Sequence, residues 1–314
     1  MRSPDVSVAD VVGKLQDLRT GFDAWRGKQV PGENVFDFRG PETVIQFHGQ
    51  GLGDMMIIRQ FGRAFADYLR DVGDPELGKV VVSCGGYKAT FNPEPGDVNC
   101  YWWWSFGPKD DEPAEYLDFY LDEVSVEPDV ILCLSERCKK EASQRGFDTV
   151  YLPLGTQAFE PLGVERSGLG YAGSRYHKDR SKSEPVLGPY GDRDDFEWVS
   201  HFVTPTQLNL WYNTKLVTFG LTKEGQRRWG MVNNRVFETL ASGTPFILES
   251  HPTVEDVLGF EFPYQTSSRE ETLELTTDVL ENPDQHLERF RSYAETVREE
   301  HSYDERVRTL VSHL

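Results

Sequence analysis

The sequence predicts an α/β protein built from two similar halves. Short apolar runs alternate with segments of helical spacing along most of the chain. One run, Asp129 to Leu134, is apolar without a break from Val130 on, as in a parallel strand covered on both faces. A Pro- and Gly-bearing stretch from Pro153 to Gly163 separates the first alternating set from a second.

The elements follow in order. Residues 8–26 carry Val8, Val11, Val12, Leu15, Leu18 and Phe22 on one side, which predicts a helix. After a turn around Pro31 to Asn34, Thr43 to Phe47 reads as a strand. It enters His48-Gly49-Gln50-Gly51-Leu52-Gly53-Asp54, and residues 55–71 resume helical spacing. A strand, a glycine loop and a helix open a doubly wound domain. Further strands are expected at Lys79–Cys84, Asp129–Leu134 and Val150–Leu152, and a helix at 114–123. Ser135 caps a helix that runs to about Arg145, where Gly146 ends it.

In the second set, Gly168 to Gly173 is a strand into a loop and Phe196 to Val199 another strand. Thr206 to Tyr212 is a short helix and Leu216 to Phe219 a strand. Asn233 to Ser242 reads as a capped helix, Gly243 as its left-handed stop, and Phe246 to Leu248 as a buried strand. From Ser268 onward the chain is mostly helical, interrupted near Asn282-Pro283. No internal repeat or low-complexity tract is present. The expected division is 1–160 and 161–314, with a cleft between.

Composition narrows the function classes. The 314 residues carry a formal charge of -19, with the acids scattered rather than gathered in a tail. Such a field repels polyanions, so nucleic-acid binding by bulk charge is not expected. No apolar run is long enough to span a membrane, and Met1 to Asp5 opens no signal-peptide core. A cytoplasmic protein without integral membrane contact is expected. Cys84, Cys100, Cys133 and Cys138 lack Cys-x-x-Cys spacing and read as buried thiols.

The chemistry concentrates in the helix at 234–242. Its free amides and dipole attract phosphate. Arg235 in the first turn adds a bidentate contact, with Asn234 beside it. Glu238, three residues on, shares the face of Arg235, where a carboxylate can accept hydrogen bonds from two ribose hydroxyls. An ordinary Arg–Glu pair on a solvated helix has the same spacing.

Three segments resemble GT-B glycosyltransferases of family four. Glu238-Thr239-Leu240-Ala241-Ser242-Gly243-Thr244-Pro245 resembles the Glu-Ala-x-Ala-x-Gly-x-Pro signature. The fuller run from Asn234 is most similar to the CgeB-type subgroup. Cys133 to Pro161 resembles the passage that ends the first domain of this group. His301-Ser302-Tyr303-Asp304-Glu305-Arg306 resembles the element before its final helix. The resemblance covers roughly 130–314. It implies two Rossmann-like domains facing a central cleft, with the C-terminal helix crossing back to the first. It also implies a glycosyltransferase in which Glu238 holds the ribose of a nucleotide-diphosphate sugar. A second family glutamate, eight residues earlier, is Gly230 here, which leaves the sugar unassigned, hexose or pentose.

In the same fold, the loop holding Arg175 and Lys178 faces the cleft. These cations neutralise the departing diphosphate, or else form a solvated basic loop. Lys223, with Arg227 and Arg228, forms a second cationic cluster. Phe202 and Val203 lie where the family holds the base through backbone groups. Gly51 and Gly53 let the backbone approach the donor. Gly-Leu-Gly-Asp also occurs in heptosyltransferase-like enzymes of this fold. That resemblance puts Asp54 at the reaction centre, against a plain helix N-cap. His48 either bonds donor or acceptor or closes a strand.

Trp102, Trp103 and Trp104 offer either a stacking platform for the acceptor or bulk for a core strand. Asp192-Arg193-Asp194 matches a metal motif of another glycosyltransferase fold but sits in a polar stretch. It reads as a turn, and neither a metal nor another cofactor is expected. The resemblance implies retention of anomeric configuration. The acceptor stays open among glycan, lipid, protein and modified nucleobase. Two alternatives stand beside this reading: an enzyme acting on modified bases of viral DNA, and a silent nucleotide-sugar-binding protein.

Overall fold

The computed structural model describes residues 34–49, 52–84, 95–103, 126–173, 185–199 and 204–314, with isolated helical positions at Leu117 and Leu121. The helix expected at 8–26, and most of the one at 114–123, lie outside these residues.

Two sheets form. The first contains β1 (Asn34–Arg39), β2 (Thr43–Gly49), β3 (Gly78–Cys84), β4 (Val98–Trp103), β5 (Val130–Cys133) and β6 (Asp148–Tyr151), in that spatial order. β1 pairs antiparallel with β2, and every other pairing is parallel. The second contains β7 (Leu169–Ala172), β8 (Phe196–Val199), β9 (Val217–Gly220), β10 (Phe246–Glu249) and β11 (Gln265–Thr266), all parallel, in the order β11-β10-β9-β7-β8.

The α/β expectation holds, with one correction. The first sheet runs in sequence order among the described residues, so the strand-order reversal of a doubly wound sheet is absent there. Apolar periodicity gives the alternation of elements but not their lateral order. The reversal belongs to the second sheet, between β7 and β9. In such sheets ligands bind beyond the carboxyl ends of the strands at that switch point.

Helices cover the sheets as their patterns require. α1 (Leu52–Asp71) buries Ile57, Ile58, Phe61, Ala64 and Phe65, a stripe of helical spacing. α2 (Glu136–Gln144) is capped by Ser135, whose hydroxyl accepts from the Cys138 amide at 3.1 Å. α3 (Pro205–Asn213) is capped in the same way by Thr204. α4 (Glu224–Arg228) and α5 (Asn234–Ala241) follow β9, and α6 (Val254–Leu258) follows β10. α7 (Arg269–Glu281), α8 (Pro283–Glu300) and α9 (Tyr303–His313) complete the chain.

α8 packs on α5 of the second sheet, whereas α9 packs on α1 of the first. The last helix therefore crosses back, as expected. Two mainly parallel α/β sheets with a returning C-terminal helix make the GT-B arrangement. All four cysteines are free and buried. Burial pushes the Cys100 and Cys138 thiols up to about 12, so neither is a nucleophile near neutrality.

Candidate active site at the switch point of the second sheet

α5 carries the site. Gly243, at φ +65°, ends the helix in the left-handed region, as the sequence predicts. Val236, Phe237, Leu240 and Ala241 are buried. Full burial of Phe237 alone contributes on the order of 2–3 kcal/mol. Asn233 has the extended backbone of an N-cap but does not cap with its side chain. Its Nδ2 donates instead to Leu221 O at 3.3 Å and Thr222 Oγ1 at 3.1 Å, fastening the start of α5 to the end of β9.

Arg235 is not on a solvated face. Its Nε donates to Ala172 O at 2.6 Å and its Nη1 to Leu221 O at 3.0 Å. Those carbonyls stand at the carboxyl ends of β7 and β9, the two strands that flank the switch point. The guanidinium also lies 5.0 Å from the Tyr171 ring centre, within cation–π range.

Glu238 is 2% exposed. Asn234 Nδ2 donates to its Oε1 at 2.9 Å. Burial pushes the carboxyl up to about 7, against the pull of Asn234, Arg235 and the nearby Gln60 amide. The solvated Arg–Glu pair is thus excluded: Arg235 is spent on strand-end carbonyls, and Glu238 is sealed between α5 and α1. A carboxyl raised by burial beside a switch point is a candidate binding or catalytic group.

The position where the family resemblance expects a second glutamate is Gly230, in a backbone conformation that disfavours a side chain. Gly230 has φ +70°, and an added Cβ would meet Thr253 Cγ2 at 3.1 Å. A glutamate in that conformation is strained. The loop is clamped from α6 and β10: Thr253 Oγ1 donates to Gly230 O at 3.0 Å, and His251 Nε2 to Met231 O at 3.1 Å. Burial lowers the His251 ring to about 4.

The remaining expectations divide. His48 is buried at the end of β2, its Nε2 3.1 Å from Gln46 Oε1. Gly53 and Asp54 fall in the first turn of α1, which begins at Leu52, so Asp54 is not the N-cap. Lys223 precedes α4, exposed, with no side-chain capping bond. Arg227 pairs with Glu224 and, at 3.7 Å, with Glu249, so its charge is already met. Gly51, Trp104, Arg175, Lys178, Phe202 and Val203 lie outside the described residues.

The acceptor platform is corrected. Trp102 and Trp103 are both 0% exposed and pack in the core of the first sheet. Trp102 Nε1 donates to Leu152 O at 3.1 Å and its ring lies 5.6 Å from Phe61, while Trp103 lies 6.0 Å from Trp229. The β4 side chains face covering elements on both sides, as in a parallel strand. Asp192 and Asp194 lie in a turn where Arg193 pairs with Asp195 at 2.7 Å. Among the described residues no group of three His, Cys, Asp or Glu could hold a metal.

The element at 301–306 proves to be a clasp. Arg306 donates from Nε to Pro153 O at 2.9 Å and from Nη2 to Leu154 O at 3.3 Å and His301 Nδ1 at 3.1 Å. An arginine only donates, so His301 Nδ1 accepts and Nε2–H donates to Leu258 O at 3.1 Å. Burial and Arg306 lower the ring to about 4. Thr156 and Ser302 form a parallel bridge, and Gly155 runs so close that an added Cβ would meet His301 O at 2.6 Å.

Sequence reasoning missed Gln60, 3% exposed between Ile57 and Ala64 on the apolar stripe of α1. A lone amide on such a stripe was the available signal.

Residues 171–312, a little under half of the chain, match the family described as glycosyl transferase-like. The glycosyltransferase reading of the sequence is thereby borne out. The match spans β7 to α9, including Arg235, Glu238 and the clasp, and does not distinguish a CgeB-type subgroup. No curated protein matches the chain. Among solved structures it is similar to phage T4 BGT in complex with UDP-glucose, at 10% identity and TM-score 0.49, over 75% of this chain and 82% of that one. It is similar to TarM at 11% identity and TM-score 0.48, over 80% and 57%. It is also similar to an E. coli trehalose-6-phosphate structure bound with UDP-2-fluoro glucose, at 10% identity and TM-score 0.49, over 100% and 97%. At these TM-scores the likeness decides nothing about the site. Among the described residues no helix is long and apolar enough to cross a membrane.

Proposed function

We propose that the chain transfers a sugar from a nucleotide-diphosphate donor, held beyond the switch point of the second sheet, to an acceptor presented by residues 1–160. Residues 161–314 hold the donor. The observation that carries this reading is Glu238: a buried carboxylate poised near neutrality, beside an arginine anchored to the ends of β7 and β9.

Each part then has a role. The carboxylate of Glu238 accepts from the ribose hydroxyls. The first-turn amides of α5 and Nη2 of Arg235 face the diphosphate, with Arg175, Lys178 and Lys223 adding positive charge as it leaves. Val203 meets the base through its backbone. Gly51 and Gly53 admit the donor close to the first half, where His48 and Asp54 stand beside the acceptor. The acceptor oxygen bonds to the anomeric carbon as the bond to the phosphate oxygen breaks. The acceptor proton passes to the departing phosphate, with retention of configuration and without a metal. The acceptor is a glycan, lipid, protein or modified nucleobase, and the setting is cytoplasmic.

Calorimetry with UDP and GDP tests the reading. Glu238→Ala should lose at least about tenfold in affinity for whichever nucleotide the wild type binds, in a variant that still unfolds cooperatively. Equal affinity in a folded variant would remove the assignment.

A further inference from the structure

Gln60 is a polar side chain sealed on the apolar stripe of α1. Its Oε1 accepts from the backbone N–H of Gln157 at 3.0 Å. Only the oxygen of an amide accepts, so this contact fixes the amide orientation and places Nε2 on the opposite side. Nε2 is buried and makes no hydrogen bond of normal geometry. It lies near enough to Glu238 to hold that carboxyl down. Gln157 is itself fixed, its Nε2 donating to Asp304 Oδ2 at 2.9 Å on α9. The segment after the clasp, the returning helix and α1 together hold one amide against the carboxylate of α5. A buried N–H2 without a partner costs stability, so its placement calls for one.

The geometry points to Gln60 as a positioning residue: from the first-sheet helix it aims the Glu238 carboxylate, across the seam between the sheets, at the ribose hydroxyls of the donor. The inference rests on the donor reading above. The other groups that act on Glu238 are Asn234 and Arg235 on α5, Tyr212 on α3 and Tyr303 at the start of α9. Asn234 secures Oε1 from the same helix, and Gln60 acts from the opposite sheet. A change in how the two sheets sit therefore changes the carboxylate that grips the nucleotide.

The test reads Glu238 without ligand first. Carbon-13 NMR of the glutamate carboxyls in the full chain, assigned by the signal missing in Glu238→Gln, gives its titration midpoint. Gln60→Leu should raise that midpoint by about half to one unit, the size of one lost polar contact. Gln60→Glu keeps an acceptor for Gln157 and should raise it further, because two carboxylates then share one site. Affinity for UDP or GDP in Gln60→Leu should fall about two- to fivefold at pH 7 and recover at higher pH, which mere loosening of the fold would not produce. A folded Gln60→Leu or Gln60→Glu with an unmoved midpoint overturns the inference. A raised midpoint with nucleotide affinity indifferent to Glu238→Gln overturns the donor role of both residues, while the link between them stands.

Discussion

Asn234 Nδ2 and Glu238 Oε1 lie 2.9 Å apart, one helical turn along α5, and the Glu238 side chain is buried on the side of Gln60. The contact favours the ionised carboxylate, which is the form that accepts from hydroxyls. Asn234→Ala should therefore weaken nucleotide binding about three- to tenfold near pH 7, with less effect at pH 8.5. Calorimetry at the two pH values checks it. Equal losses at both would assign Asn234 a direct contact instead.

The pH dependence of binding has a definite sign. The Glu238 carboxyl is raised to about 7, so much of it is protonated just below neutrality. Binding that needs the carboxylate then releases a proton. Affinity should climb with pH up to about 7 and level off above it. In Glu238→Gln the climb should vanish. Calorimetry in two buffers of different ionisation heat, at pH 6.5, measures the released proton directly.

Stability carries the opposite sign for Glu238. Its folded value lies above that of the free side chain, so its contribution is full below about pH 4.5 and is lost as pH rises through about 7. His251 and His301 are lowered from 6.5 to about 4, so their contribution is full above pH 6.5 and is lost as pH falls toward 4. Each histidine amounts to on the order of 2–3 kcal/mol at full effect. The two histidines together outweigh Glu238, so the melting temperature should fall between pH 6.5 and 4, and more steeply in Glu238→Gln. Glu238→Gln should gain on the wild type from pH 4.5 to 7. Thermal unfolding across that range measures both slopes.

Restoring the missing glutamate by Gly230→Glu should not restore a two-carboxylate site. The residue would have to adopt φ +70° against Thr253, at a cost of about 1–2 kcal/mol. Lower stability without a gain in transfer, from melting curves and turnover on the same preparation, is the expected pair of results.

Trp102→Ala should cost about 3–5 kcal/mol, as a fully buried ring leaves a cavity beside Phe61. Trp102→Phe should keep most of the stability and all of the acceptor affinity. A selective loss of acceptor binding in Trp102→Phe would reinstate the stacking role.

Much of the second half was legible because its signals are local. Gly243, at a left-handed stop, and Glu238, one turn from the helix start, are fixed by spacing along one helix. The direction of Arg235 was not legible. Its partners Ala172 and Leu221 are distant in sequence, and only the strand order β7-β9 brings them together. The tryptophans misled because an aromatic run looks alike on a surface and in a strand covered on both faces. Gln60 was missed because its meaning depends on Gln157 and Glu238, neither of which its own helix reveals.

The clasp at His301–Arg306 has a consequence for how the molecule is made. Tyr303 stands 6.1 Å from Phe61, and Arg306 caps the carbonyls of Pro153 and Leu154. During synthesis, the interior of the first sheet stays incomplete until α9 has emerged from the ribosome. A nascent chain stalled before Tyr303 would expose the α1 flank that this helix covers, and that flank is where chaperones would find it.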